Sequence, residues 1–320
     1  MPRLKRVRPV EDSGFQRREA REGFTYVDAA GKPAAESDCA RIERLAIPPA
    51  WTDVWICADE HGHVQAVGTD DAGRRQYIYH DDWSARRDRG KFSRALDLAA
   101  RLPAARARVT AALHAEGMTE QKVLAAAFRL LDRGALRAGS TTYLRRSGNR
   151  GLTTLQCRHV TVADTTITLC FPGKGGQQQE ISVTDSDLAP LLQQLTEGRT
   201  RATLLSWREG RRRRSVRPSQ LNAYVREVTG GRFTAKDFRT LRGTILAVES
   251  LARTGPATTK RERAKAERRA VQACADGLGN TPAVAKSSYI DPRVFKKYRR
   301  GQLLDTSRTP ESALRSLLLG

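Results

Sequence analysis

The amino-acid sequence predicts an α+β protein in two parts. A small antiparallel β-sheet domain is expected over residues 1–90, followed by a larger, mostly α-helical domain over 91–320 that carries a three-stranded β-hairpin element. Three observations lead there. Short β-like runs broken by turn residues fill the first part, helical apolar spacing takes over in the second, and the charge divides at the same place. Residues 1–90 hold 15 basic and 16 acidic side chains, whereas 91–320 hold 42 basic and 19 acidic, so the formal net charge of +22 comes from the second part.

Taken in order, residues 1–22 are polar and charged and are expected to fray. Phe24–Val27, Val54–Cys57, Val64–Val67 and Gln76–Tyr79 are strand-like runs, with turn signals at Asp28–Gly31, Asp59–Gly62 and Thr69–Gly73. After Trp83 and the charged stretch Ala85–Lys91 the pattern turns helical, with Leu124, Phe128 and Leu131 at spacings of four and three behind a cap at Thr119. Gly134 and Gly139 loosen the chain. Strand signals return at Thr154–Val162, Thr166–Phe171 and Glu180–Val183, the last two joined through Gly173-Lys174-Gly175-Gly176. From Asp187 helices dominate. Thr234-x-x-Asp237 is a capping-box pattern ahead of the apolar stripe Phe238, Leu241, Ile245 and Val248. Thr281-Pro282 starts a short helix carrying Tyr289, and Asp291-Pro292 starts a last one over about Arg293–Leu304. No internal repeat is present.

Composition narrows the class. A chain of 320 residues, 39% hydrophobic and 29% charged, can bury a core in each of two domains. Its pI near 10.6 suits a polyanionic partner, nucleic acid first, although ribosomal or membrane-surface proteins share that balance. Cys39, Cys57, Cys157, Cys170 and Cys274 are scattered, odd in number and without zinc-ligand spacing, which fits a reducing cytoplasm and indicates no metal site. The basic N-terminus is followed by no apolar segment of the signal-peptide kind, and no 18-residue apolar run suggests a membrane span.

Five positions carry candidate chemistry, and each has an ordinary role when taken alone. Arg137 lies just past a helix, Lys174 on a glycine-rich turn, Arg239 on a helix whose apolar face is taken, Asn280 after a helix-ending Gly279, and Tyr289 among seven tyrosines. Their surroundings are more specific. The segments are Pro48-Pro49-Ala50-Trp51-Thr52-Asp53-Val54-Trp55, Gly62-His63-Val64-Gln65-Ala66, Gly73-Arg74-Arg75-Gln76-Tyr77, Leu136-Arg137-Ala138-Gly139 with Tyr143, Gly151-Leu152-Thr153-Thr154-Leu155, Phe171-x-Gly173-Lys174-x-Gly176, Lys236-Asp237-Phe238-Arg239-Thr240-Leu241-Arg242-Gly243-Thr244, Leu278-Gly279-Asn280-Thr281-Pro282, and Ser288-Tyr289-Ile290-Asp291-Pro292. In this order and spacing the chain resembles the bacterial and poxvirus-like type IB DNA topoisomerases over nearly its whole length.

The resemblance implies a division of labour that physical chemistry explains. A phosphodiester attacked in line gathers negative charge on its non-bridging oxygens, and fixed guanidinium groups match that geometry. Arg137 and Arg239 would clamp the scissile phosphate. Tyr289 would attack it, leaving a 3′-phosphotyrosine and a 5′-hydroxyl, and Lys174 would protonate the leaving oxygen, alone or together with Arg137. Asn280 stands where many relatives carry histidine; its amide can donate to a phosphate oxygen but cannot shuttle a proton. Bond energy is kept in the covalent link, so no ATP, metal or other cofactor is implied, in keeping with the lack of a GxxxxGK[ST] loop.

The implied partner is double-stranded DNA, gripped by a monomer that closes as a clamp in the cytoplasm, at the nucleoid, with no membrane involved. Arg74, Arg75, Gln76, Tyr143, Lys236 and Arg242 belong to the resembling motifs and are candidate DNA contacts. Arg211, Arg212, Arg213 and Arg214 join them from the basic run that also includes Arg208 and Arg217. Two other readings stand beside this one. A tyrosine recombinase shares the chemistry, but it usually carries a helical bundle in place of the strand-rich first domain and favours His-x-x-Arg where this chain has Lys236-Asp237-Phe238-Arg239. A non-catalytic nucleic-acid binder would not need the whole Arg–Lys–Arg–Asn–Tyr set.

Overall fold

The computed structural model describes residues 3–320, without the side chain of Tyr143. By compactness the chain divides into two units, one ending at Gly90 and the other spanning Lys91–Gly320.

The first unit is built on five antiparallel strands: β1 (Gly14–Glu19), β2 (Phe24–Val27), β3 (Thr52–Cys57), β4 (Val64–Thr69) and β5 (Arg75–Tyr79), in spatial order β2-β1-β3-β4-β5. Alternation along β3 gives the sheet two apolar faces. Val54 and Ile56 pack with Ala66 and with Ile42 of α1 (Glu36–Arg44), while Trp55 and Cys57 pack with Val64 and Val67 on the other side. Neither β1 nor α1 was legible in the sequence, and the expected fraying of 1–22 gives way to pairing. Gln16 pairs with both Val27 and Trp55, and Lys5 exchanges backbone hydrogen bonds with His61 and His63 at 2.9 Å. The strand Gly-Phe-Gln-Arg-Arg-Glu has little apolar alternation because its order comes from partners on both sides. Arg17 donates to the carbonyls of Pro48 and Pro49 at 3.0 Å and lies 4.0 Å above the Phe24 ring.

The second unit is mostly helical. Helix α2 (Asp81–His114), whose first ten residues precede Lys91, and α3 (Glu120–Gly134) lead in, and α3 is the central element, buried continuously from Val123 to Leu131. Thr119 caps it by accepting from the Lys122 amide at 3.2 Å, as its position suggested. A short α4 (Thr141–Ser147) precedes the three-stranded antiparallel sheet β6 (Val160–Ala163), β7 (Thr166–Pro172) and β8 (Gln178–Thr184), in which β7 is central. Next come α5 (Leu188–Thr196) and a two-stranded ribbon, β9 (Ser206–Glu209) and β10 (Arg212–Ser215). The arginine run therefore forms a hairpin before its helix, because Trp207 on β9 is buried and holds the strand down while the arginines face water.

Helices α6 (Pro218–Thr229), α7 (Ala235–Thr254), α8 (Lys260–Leu278), α9 (Pro282–Ser288), α10 (Arg293–Arg299) and α11 (Pro310–Leu319) complete the unit. The Asp237 carboxylate reaches back to the Thr234 amide at 2.8 Å, and Thr281 accepts from Val284 at 3.4 Å, so both caps read from the sequence are present. α10 ends at Arg299, short of Leu304, and α11 follows as a separate helix held by Arg106, which binds Asp132 and Glu311. One buried ion pair braces the core: Arg129 donates to Asp185 at 3.0 Å, and Asp185 also accepts from the Leu188 amide at the start of α5. No helix among the described residues is long and apolar enough to cross a membrane.

Candidate active site

Four of the five candidate residues meet where α3, α7 and the α8–α9 turn converge. Arg137 arrives on a strap behind α3. Ala135 takes a left-handed conformation (φ 47°) and ends the helix, and the following residues are held by a second segment. The amides of Leu152 and Thr153 donate to the carbonyls of Arg137 and Ala138 at 2.9 and 2.8 Å. The two backbones can approach because each carries a glycine at the crossing. A Cβ at Gly151 would lie 2.6 Å from the Gly139 backbone and 2.7 Å from the Arg137 carbonyl oxygen, and Gly139 has φ +81°. Gly151→Ala is therefore expected to cost about 1–3 kcal/mol and to displace Arg137; a melting curve together with an activity assay checks both.

Arg239 comes from the buried face of α7 and is 5% exposed. One terminal nitrogen donates to the Ala135 carbonyl at 2.6 Å and the other to the Leu278 carbonyl at 2.8 Å, while Nε has no partner among the described residues. A buried donor left open costs free energy unless something fills it. Its guanidinium carbon lies 5.1 Å from the centre of the Tyr289 ring. The next glycine-ended turn supplies the partners. Gly279 (φ 56°) closes α8, and its carbonyl accepts from Arg137 at 3.2 Å. Asn280 then presents Oδ1 to Arg137 Nη2 at 2.6 Å, which leaves its NH₂ with only a 3.4 Å contact to the Leu278 carbonyl.

Electrostatics favour ionisation of Tyr289. Burial pushes its phenol up, but the adjacent Arg239, with Arg137 and Lys236 behind it, outweighs burial and holds the pKa below the usual 10. Burial, and then the charge of Arg239, press Arg137 in the opposite direction, below its ordinary value.

Lys174 is not brought into this cluster. It stands exposed at the tip between β7 and β8, and among the described residues it makes no hydrogen bond or ion pair with the other four. The tip is tethered, since the Gly176 amide donates to Asn149 Oδ1 at 3.2 Å. The same hairpin walls a cavity of about 220 Å³ that reaches Arg137, Arg239, Arg242 and Gly279. Arg150 and Gln179 also line it. The sequence reading passed over both, although Arg150 directly precedes the Gly151 motif and Gln179 packs on Gly279. Of the other candidates, Lys236, Arg75 and Arg211 to Arg214 are exposed and Arg242 is half-buried. Asp70 organises Arg74 and Gln76, accepting from them at 2.9 and 2.8 Å. The side chain of Tyr143 lies outside the described residues. No group of three or more metal-binding side chains occurs among those described.

Comparisons with known proteins identify the family. A family model described as eukaryotic DNA topoisomerase I, catalytic core, matches residues 80–308, and one described as bacterial DNA topoisomerase IB, N-terminal domain, matches residues 23–70. DNA topoisomerase 1B of Acanthamoeba polyphaga mimivirus is 28% identical over 269 residues, covering 82% of this chain and 80% of that protein. The second match falls on the strand-rich unit, the part that a recombinase would replace with a helical bundle. With most of its length matched to that catalytic core and an N-terminal domain of the bacterial enzymes ahead of it, the chain belongs to the type IB DNA topoisomerase family.

Proposed function

We propose that this protein relaxes supercoiled duplex DNA by cutting and resealing one strand through Tyr289, without ATP or metal. The observation that carries the reading is the Tyr289 ring set against a buried Arg239 whose Nε is unpartnered, with Arg137 and Asn280 on the adjoining turn. Tyr289 gives up its proton to solvent and attacks the phosphorus as the phenolate, so that the Tyr O–P bond of a 3′-phosphotyrosyl link forms as the bond from phosphorus to the 5′ oxygen breaks. Arg137 and Arg239 hold the non-bridging oxygens, and the phosphate fills the open Nε of Arg239. Asn280 fixes Arg137 through Oδ1 and offers its NH₂ to the phosphate, a stabilising role with no proton transfer. Lys174 supplies the proton to the leaving oxygen when the hairpin bends over bound DNA; its exposed position on a glycine-rich tip is compatible with that movement. Resealing reverses these steps.

Residues 1–90 serve in this reading as the DNA-clamp domain, through Arg74, Arg75 and Gln76, and residues 91–320 as the catalytic domain, the chain acting as a monomer at the nucleoid. The exposed arginines of the β9–β10 ribbon, together with Lys236 and Arg242, add phosphate contacts.

The test is relaxation of negatively supercoiled plasmid in EDTA without nucleotide. The expected result is a ladder of relaxed topoisomers; site-specific joining of two duplexes without relaxation would move the chain to the recombinases. Binding should also weaken steeply with salt. With six to ten phosphates neutralised, affinity falls roughly 10³–10⁵-fold between 50 and 200 mM, and a salt-insensitive affinity contradicts the charge argument.

A further inference from the structure

Tyr289 ends α9, and α9 cannot place it unaided. The helix is seven residues long, and only Ala285 is buried; Tyr289 keeps one helical hydrogen bond, from its amide to the Ala285 carbonyl at 3.0 Å. So short a helix has little stability of its own. The firm contact is with α7. A Cβ on Gly243 would lie 2.8 Å from the Tyr289 Cβ, so the α7 backbone itself forms the floor beneath the tyrosine. Next to it, the buried Thr244 hydroxyl lies 3.0 Å from the Tyr289 carbonyl oxygen and accepts from the Asp291 amide at 3.1 Å.

That hydroxyl has a second acceptor within reach, the Thr240 carbonyl one turn back at 3.0 Å. Threonines inside helices commonly donate to that carbonyl. Here the same proton is also offered to the peptide that follows Tyr289, while the oxygen holds the amide of the next peptide, that of Asp291. Thr244 thus ties the backbone at residues 289 and 291 to the helix that carries Arg239, five residues or roughly 7.5 Å earlier along its axis.

We propose that Thr244 is the positioning residue for the tyrosine, fixing the phenol against Arg239 by anchoring the backbone on which it hangs. This rests on the reading of Tyr289 as nucleophile. The charged groups facing the phenol are Arg239 and Lys236 from α7 and Arg137 from the strap behind α3, and Cys274 of α8 lies close to Gly243 on the same side. If the anchor is lost, the ring drifts from these cations, although each remains in place.

The experiment is single-turnover cleavage of a duplex at saturating DNA, measured across pH for Thr244→Val, Thr244→Ser and the unaltered protein. Valine keeps the shape and removes the hydroxyl. Its cleavage rate is expected to fall about 10–100-fold, the order of loss that a displacement near 1 Å brings. Its DNA affinity should stay within about twofold, and its pH–rate curve should move to higher pH. Serine should restore both rate and curve. Should Thr244→Val fail to fold, Thr244→Ala carries the same expectations with room to spare. Near-normal cleavage by the valine or alanine variant overturns the proposal, as does a rate loss without any movement of the pH curve, or a serine variant as impaired as valine. The nucleophile reading fails separately, if Tyr289→Phe still cleaves.

Discussion

Tyr289→Phe is expected to abolish plasmid relaxation and the covalent DNA adduct while leaving duplex binding within about twofold of normal. The change removes one oxygen, and the ring keeps its packing beside α7 and its place against Arg239. Without a nucleophile no link can form, and losses on the order of 10⁴-fold or more are usual when such a group is removed. Binding survives because affinity comes mainly from cations on phosphates, of which this chain has many outside the site. The checks are a gel relaxation assay, a denaturing gel for the protein–DNA adduct, and a binding titration at fixed salt. Persistent relaxation by the mutant would mean that another group attacks.

Arg239→Ala is expected to lower cleavage by roughly 10³-fold or more, because in the proposed mechanism the guanidinium acts on both partners of the reaction. A single donor lost from a transition-state oxygen costs about 10²–10³, and the phenol loses its strongest stabilising charge in addition. The sign of the pH effect follows. Tyr289 now sits below its ordinary pKa of 10, so the rate should climb with pH and level off below that value; without Arg239 the largest charge opposing burial is gone, and the level region moves to higher pH. Arg239→Lys should retain much of the pH position, since the charge stays, but not the rate, because an ammonium cannot reproduce the paired donors to the Ala135 and Leu278 carbonyls. Leaving those carbonyls unsatisfied should also cost the alanine variant on the order of 2 kcal/mol in stability. An unchanged pH profile in Arg239→Ala would show that some other group sets the ionisation of Tyr289.

Much of this was readable from the sequence, for identifiable reasons. The caps at Thr119, Thr234 and Thr281 are local chemistry, and local chemistry leaves local signals. The β7–β8 hairpin announced itself through its glycine tip. Strand β1 did not, because its order comes from neighbours far along the chain and its own residues are polar. The β9–β10 ribbon was hidden for a similar reason: one buried Trp207 anchors a stretch that otherwise reads as a solvated basic run. At the site, resemblance of motifs picked out Arg137, Arg239, Asn280 and Tyr289, which indeed meet. Taken alone, Arg239 read as a surface side chain because Phe238, Leu241 and Ile245 already occupied the apolar face; its burial depends on α8 and the strap behind α3 covering the adjoining face. Arg150 and Gln179 left no periodic trace, since a wall of a cavity need only be close in space.

The segment after Tyr289 has a mechanical meaning. Ile290 and Asp291 are buried, Asp291 holds Arg293, and Val294 and Phe295 of α10 go into the core. In the proposed mechanism a DNA end hangs on the tyrosine, and a tug from the turning duplex would enter the chain at one residue and meet a mooring at once on its C-terminal side. The exposed α9 on the other side can give a little, as slack rope does. On that reading torsion would be absorbed upstream of the linkage, keeping the phosphorus within reach of the strand that must rejoin it.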